Sequence, residues 1–327
     1  MRYAVFGAGS MGSLFAGRLA ASGADVVLVG RGDHLDAVER DGLRVVGPDD
    51  EETRVPLATA RDPGAVEAPT ALVLCVKAYD TERALRDAAP LLGISTDVLT
   101  FQNGLGNAET VAGFVPEERV VVGTTSHGAY VPEPGAVRHA GVGETVLGRF
   151  FAANGARVES YADDLTAAGV ETTVTDAPER AVWAKVLVNA GINPATALAD
   201  VPNGALVDPD ATARESAGDG SGSGGAGERV LDTAVREGVR VAAAEGVEFD
   251  PAVAVERTRE VAERTASNAS SMRQDLQRGR ATEIEALNGE IARRGDAYGV
   301  ETPVNRTLAD LVRLATQGSG SDGRGRS

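Results

Sequence analysis

The first thirty residues constrain the fold more than any other stretch. Arg2 to Phe6 is a short apolar run that reads as a buried strand, and it leads straight into Gly7-Ala8-Gly9-Ser10-Met11-Gly12. Leu14, Phe15, Leu19 and Ala20 follow at helical spacing up to a break near Gly23, and Asp25 to Val29 reads as a second strand. Strand, G-x-G-x-x-G loop, helix and strand in this order open a doubly wound α/β domain that binds a dinucleotide. In that reading Gly7 permits the tight turn, Gly9 lets backbone approach a pyrophosphate, and Gly12 lets the helix pack on the sheet. Ser10 and Met11 then sit in the first helical turn, whose N-terminus favours an anion.

The end of the second strand bears on which dinucleotide is held. An NAD site usually places Asp or Glu there for the ribose hydroxyls, whereas this chain has Gly30-Arg31-Gly32. Arg31 suits a 2′-phosphate, so NADPH is expected, with NADH left open. Asp33 is a rival for the ribose, and a plain surface arginine is the other reading of Arg31.

Farther on, Leu43 to Val46 and Arg54 to Leu57 read as strands, Ala71 to Val76 as a buried strand ending at Lys77, and Asp80 to Leu92 as a helix. Val98 to Phe101 is a strand followed by Gln102-Asn103-Gly104-Leu105-Gly106. Lys77 and Asn103 thus stand at strand C-termini, where open α/β sheets bind ligands; for Asn103, plain Asn-Gly turn chemistry is the alternative. The stretches 120–122, 125–131, 136–140 and 145–147 read as one antiparallel ribbon. His127 and His139 lie within it and are expected to be structural, since no acid–base partner stands near them by spacing. Val158 to Ala168 reads as a helix and Val170 to Val174 as a last strand.

A chain of 327 residues suggests two domains. The expected boundaries are a dinucleotide-binding Rossmann-type domain over 1–175, an all-helical domain over 176–317, and a disordered tail over 318–327. The net charge of -16 argues against nucleic acid, which needs a basic patch. One cysteine and three scattered histidines provide no disulfide framework and no metal-ligand pattern. With no run apolar enough for a membrane span, and a strand almost at Met1, a cytoplasmic protein is expected. Abundant acid with little lysine suggests a high-salt or high-GC source, with a merely acidic soluble protein as the alternative.

Only two lysines, Lys77 and Lys185, stand against thirty arginines. Lys185, Asn189 and Asn193 follow one another at intervals of four in an otherwise apolar helical stretch, so they share one helix face. A lysine in a desolvated pocket can exchange a proton, which arginine does not. A buried lysine paired to a structural acid is the other reading. Asn193-Pro194 is expected to end this helix. Later, Val201-Pro202-Asn203-Gly204 is a turn, 216–227 is a flexible Gly/Ser-rich loop, and 230–244 and 251–264 are amphipathic helices. Ser271 is placed to cap a further helix, and Thr282 with Glu285 has capping-box spacing. Glu283 lies near the apolar stripe of Ile284, Leu287 and Ile291, or is simply an acid favoured by the helix dipole. A final helix runs from Pro303 to Thr316.

Taken together, G-A-G-S-M-G, V-K-A-Y, Q-N-G-L-G, W-A-K-V-L-V-N-A-G-I-N-P, P-N-G, S-S-M-R-Q-D and T-E-I-E-A-L-N-G-E resemble the ketopantoate reductase family in order and spacing. The resemblance implies a Rossmann domain followed by a helical domain, and reduction of 2-dehydropantoate to (R)-pantoate with NADPH on the route to pantothenate and coenzyme A. It assigns Lys185 as general acid and Glu283 as the acid that holds the substrate hydroxyl, close to the cofactor as well. Asn189, Asn193, Asn203 and Ser271 match substrate-binding positions. Lys77 and Asn103 match cofactor-side residues, and Arg31 matches the 2′-phosphate contact. The partner implied is a small 2-keto acid; a homodimer through the helical half is left open. The Gly/Ser loop departs from the family pattern. So does the acidic surface, since substrate and cofactor are both anions. A related reductase of another branched 2-keto acid, or a non-catalytic NADP(H) sensor, are the alternatives.

Overall fold

The computed structural model describes residues 1–207 and 225–319. The chain divides into two compact units, one of Met1–Gln102 with Gly106–Ala181, the other of Asn103–Leu105 with the residues from Val182 on.

The first unit is built on an eight-stranded sheet. Its strands are β1 (Arg2–Phe6), β2 (Asp25–Val29), β5 (Ala58–Ala60), β6 (Ala71–Leu74), β7 (Asp97–Thr100), β8 (Val120–Thr125), β11 (Thr145–Arg149) and β12 (Thr172–Val174). The spatial order is β12-β11-β8-β7-β6-β1-β2-β5. β1 lies between β2 and β6, parallel to both. Continuous apolar runs such as Ala71–Leu74, buried at every residue, suit parallel strands covered on both faces. From β1 the chain runs outward through β2 to β5, then returns to β6 on the other side. The order therefore reverses between β1 and β6, and ligands of such sheets bind outside the strand C-termini at that switch point.

Helix α1 (Ser10–Ala21) packs Leu14, Phe15 and Leu19 into the core with Tyr3, Val5 and Leu28. The other helices of this unit are α2 (Asp33–Asp41), α3 (Thr81–Asp87), α4 (Asn107–Ala112) and α5 (Ala156–Ala167). The helix expected over 80–92 is interrupted: short 3-10 turns, Ala78–Asp80 and Ala89–Leu91, flank α3. Pro90 stands in the second turn and has no N–H to continue the ladder.

The stretch 120–147 does not form one ribbon. β8 and β11 pair antiparallel within the large sheet, Thr145 opposite Thr125 and Arg149 opposite Val121. β9 (Gly128–Tyr130) and β10 (Ala136–Gly141) instead join a second sheet with β3 (Leu43–Val46) and β4 (Glu52–Val55). There β10 lies parallel to β3, a partner about ninety residues earlier that local turn chemistry cannot announce.

The second unit is helical. Its main elements are α6 (Pro178–Ala199), α7 (Ala226–Ala244), α8 (Pro251–Arg264), α9 (Ser271–Gln277), α10 (Asn288–Tyr298) and α11 (Pro303–Ser319). Trp183, Val186 and Leu187 of α6 share a core with Leu231, Val235, Ile291 and Val312. Most of the Gly/Ser-rich stretch 216–227, and tail residues 320–327, lie outside the described residues.

Four expectations about helix ends are corrected. Pro194 does not end α6, which continues to Ala199. Proline removes the N–H that would bond the carbonyl four residues back, Ala190. Asn288 Nδ2 donates to that oxygen at 3.0 Å in its place. The cap of α9 is Ser270, not Ser271: Ser270 Oγ accepts from Arg273 N at 3.2 Å. Thr282 and Glu285 form no capping box. A 3-10 turn, Ile284–Ala286, precedes α10, and Glu285 instead meets Arg313. The last helix also runs beyond Thr316 to Ser319.

Candidate active site

In the first unit, β1 delivers the chain into a turn that only glycines can make. Gly7 has φ +113°, and a Cβ there would sit 2.9 Å from the carbonyl of Cys75. A Cβ on Gly12 would fall 1.9 Å from the Gly7 carbonyl oxygen, so α1 can start against the loop only with glycine. Gly9 differs: a Cβ would meet nothing among the described residues within 4 Å. The fold leaves open the space that a pyrophosphate needs, and α1 begins there with no acid in its first turn. Ser10 and Met11, both half-buried, occupy that turn. The cradle therefore fits a dinucleotide.

Beside it runs a groove of about 210 Å³ lined by Gly7, Ala8, Gly30 and Arg31 on one side and by Asp80, Arg83 and Asp87 on the other. Arg31 is exposed. Arg83 is a second guanidinium in the same groove, 3.9 Å from Asp87. The sequence reading missed both Arg83 and Asp80. Their signal was position, in the turn and helix that follow β6. Lys77, half-buried, follows Val76 in that turn. Gln102 orders the turn, its Nε2 donating to Val76 O at 2.9 Å and to Thr81 Oγ1 at 2.8 Å.

In the second unit, α6 presents Lys185, Asn189 and Asn193 along one face, with Asn193 buried. Burial lowers the Lys185 ammonium from 10.5 to about 8, and the Glu283 carboxylate offsets part of that shift. Glu283 is only 8% exposed and precedes the Ile284–Ala286 turn. Asn103 Nδ2 donates to Glu283 Oε2 at 3.1 Å. Its loop is fixed by Leu105 N donating to Ala286 O at 2.9 Å. Gly104, at φ +97°, leaves no room for a side chain: a Cβ would be 2.4 Å from that of Ala286. A buried amine, a buried carboxylate and an amide that donates to the carboxylate are thereby assembled in one unit.

The remaining expected residues are less concentrated. Ser271 is exposed at the first position of α9. Its neighbour Ser270 is buried and accepts from Thr196 Oγ1 at 2.8 Å, which ties this turn to α6 just past Asn193. Asn203 is buried against the end of α8, its Nδ2 donating to Thr265 Oγ1 at 2.9 Å. Its Oδ1 is buried, with no hydrogen-bond partner among the described residues.

His127 and His139 do have a partner, namely each other. Their Nδ1 and Nε2 lie 2.8 Å apart, and Arg18 reaches His139 Nδ1 at 3.2 Å. Burial, then the neighbouring imidazole and guanidinium, push His139 down to about 4. Among the described residues no group of three His, Cys, Asp or Glu side chains is arranged to hold a metal, and no helix is long and apolar enough to cross a membrane.

Residues 3–151 match the family model described as ketopantoate reductase PanE/ApbA, and residues 178–316 match that of its C-terminal part. A 2-dehydropantoate 2-reductase of Halobacterium salinarum is 53% identical over 96% of this chain and 99% of the relative. Another from Archaeoglobus fulgidus is 37% identical over 97% of this chain and 98% of its own length. Among solved structures, a PanE/ApbA family ketopantoate reductase from Ralstonia eutropha superposes with a TM-score of 0.85 at 35% identity, over 98% of this chain and all of the other. D-mandelate dehydrogenase in complex with NADH and anilino(oxo)acetate gives a TM-score of 0.88 at 29% identity, over 98% of this chain and 100% of that one. With both units matched by the same family and relatives aligned along nearly their whole length, the chain belongs to the ketopantoate reductase family.

Proposed function

We propose that this protein is an oxidoreductase that reduces the C2 ketone of 2-dehydropantoate to (R)-pantoate, using NADPH as electron donor. The observation that carries this reading is the pairing of Lys185, lowered to about 8, with Glu283, a buried carboxylate held by Asn103. The bound nicotinamide supplies the hydride. The residues of the chain manage the rest.

As the carbonyl π bond gives way to the new C–H bond, negative charge gathers on the ketone oxygen. Lys185 Nζ, protonated at neutral pH, stabilises that charge and gives its proton to the oxygen, so the product leaves as a neutral alcohol at C2. Solvent then reprotonates the amine. Glu283 accepts a hydrogen bond from the C4 hydroxyl, which selects a hydroxylated keto acid over one without it. Asn189, Asn193, Asn203 and Ser271 hold the carboxylate and the chain of the substrate. Residues 1–175, apart from Asn103, serve the cofactor, and 176–317 together with Asn103 serve the substrate. Arg31 takes the 2′-phosphate, and Arg83 adds a second charge to the same groove.

The test is the loss of nicotinamide absorbance on adding 2-dehydropantoate, run with NADPH and NADH, over a salt series and a panel of 2-keto acids. Fast oxidation of NADPH with 2-dehydropantoate is expected, with poor turnover of keto acids that lack the hydroxyl. Dinucleotide binding without any substrate-dependent oxidation would overturn the proposal in favour of a sensor.

A further inference from the structure

The helix that carries Lys185, Asn189 and Asn193 has a built-in defect. Pro194 lies inside α6 and leaves the Ala190 carbonyl, one residue beyond Asn189, without its helical donor. The donor that replaces it comes from another element: Asn288 Nδ2, at 3.0 Å. Asn288 is fully buried and opens α10, five residues after Glu283. Between them Ile284 and Leu287 are buried, and Leu287 alone, with a non-helical backbone, separates the 3-10 turn from the helix, so Asn288 and Glu283 lie on one short stretch.

The orientation of Asn288 is itself enforced. Its Nδ2 also donates to Asn305 Oδ1 at 2.9 Å. Asn305 must present that oxygen, because its own Nδ2 is committed to Ala234 O at 2.9 Å and to Glu237 Oε2 at 2.8 Å. Glu237, only 1% exposed, also accepts from the backbone N–H groups of Val304 and Asn305 at 3.0 and 2.9 Å. Each amide is thus set by an acceptor that cannot donate, a fixed relay from Glu237 through Asn305 and Asn288 to the open carbonyl of α6. A helix with no defect would close on its own N–H and would need no such tie.

We infer that Asn288 is a positioning residue: by bridging the proline gap of α6 to the segment bearing Glu283, it sets the spacing between the Lys185 amine and the Glu283 carboxylate. The inference deepens the proposed reduction and rests on that reading for the roles of Lys185 and Glu283. A misplacement of about 1 Å in such a pair costs on the order of a hundredfold in rate.

Three forms of the full-length protein test it: wild type, Asn288→Ala, and the double variant Pro194→Ala/Asn288→Ala, in which the alanine that replaces Pro194 returns an N–H to the Ala190 carbonyl. Each is assayed for thermal midpoint, for kcat and KM with 2-dehydropantoate, and for lysine titration by 13C-lysine labelling. The chain has only two lysines, so Lys77→Arg assigns the signals. Asn288→Ala is expected to melt lower, to lose about ten- to a hundredfold in kcat, and to shift the Lys185 titration below its wild-type position as the carboxylate drifts away. The double variant is expected to regain stability but neither the rate nor the titration. If the double variant regains all three, Asn288 only fills a hydrogen bond and the inference falls. It falls equally if Asn288→Ala keeps wild-type kinetics and titration. Failure of the proposed reaction is seen separately, as absent turnover in the wild type, and the lysine titration still decides the positioning role.

Discussion

The side-chain amide of Asn103 donates to Oε2 of Glu283 at 3.1 Å, across 180 positions of sequence. The bond fixes a carboxylate that is nearly buried, and it shows how an Asn-Gly turn can serve an acid far along the chain. Removing the donor loosens the acid without deleting it. Asn103→Ala is expected to lower kcat/KM for 2-dehydropantoate about ten- to a hundredfold, the worth of one hydrogen bond to a charged group. Glu283→Gln should lower it further and narrow the preference for hydroxylated over unhydroxylated keto acids. Steady-state kinetics on both substrate types check this, and an unchanged preference in Glu283→Gln would return Glu283 to a structural role.

In the proposed role of general acid Lys185 must be protonated, and its folded value is about 8. Turnover is expected to hold at lower pH and to fall through a single limb near pH 8. Because Glu283 raises the amine, Glu283→Gln should move that limb down. Lys185→Ala is expected to lose about 10²–10⁴ in kcat. A flat pH–rate profile up to pH 10 would count against the role.

The same group predicts a stability slope. Folding lowers Lys185 from 10.5 to about 8, so between those values the unfolded chain binds more protons than the folded one. Stability then rises with pH across that window, and the cost of burying the charge is present in full below it. The gain is on the order of 3 kcal/mol at most, at about 1.4 kcal/mol for each pH unit. Denaturant titrations at several pH values should show the slope in wild type and lose it in Lys185→Met.

His139 predicts a slope of the same sign in the acid range. Its folded value of about 4 lies below the ordinary 6.5, with Arg18 and His127 facing it. Stability from its neutral form is complete above pH 6.5 and is lost as pH falls from 6.5 towards 4. His139→Gln should melt at a temperature that changes less over this range than wild type does.

The glycines of the cradle separate packing from binding. Gly12→Ala meets the Gly7 carbonyl and should weaken both folding and dinucleotide binding. Gly9→Ala meets no atom of the described residues within 4 Å, so its thermal midpoint should match wild type while dinucleotide affinity, followed by nicotinamide fluorescence, falls at least about tenfold. Arg31→Ala and Arg83→Ala should each weaken NADPH more than NADH, and the loss should shrink at high salt. Equal losses for the two cofactors would remove the 2′-phosphate assignment.

What was legible in the sequence was local. The loop 7–12 could be read because glycine is demanded by backbone geometry within six residues, and flanking strand and helix periods sit beside it. The common face of Lys185, Asn189 and Asn193 follows from the helical repeat alone. Glu283 could be placed near the apolar stripe of Ile284, Leu287 and Ile291 from spacing, and it is buried, while Glu285 is exposed and Glu290 half-buried.

What the tertiary structure decided depends on atoms brought together from far along the chain. The pattern of 120–147 fixed that strands exist, but sheet membership was settled by β3 and β7, which lie earlier in the chain. The bond of Asn103 to Glu283 and the pairing of His127 with His139 have no counterpart in local spacing. Pro194 is the clearest case: by propensity it ends a helix, yet α6 continues because Asn288 supplies the missing donor from 98 residues away. Backbone conformation is set within a few residues and can be read there. Satisfaction of a buried polar group depends on whichever donor the folded chain carries to it, and only the fold can say which.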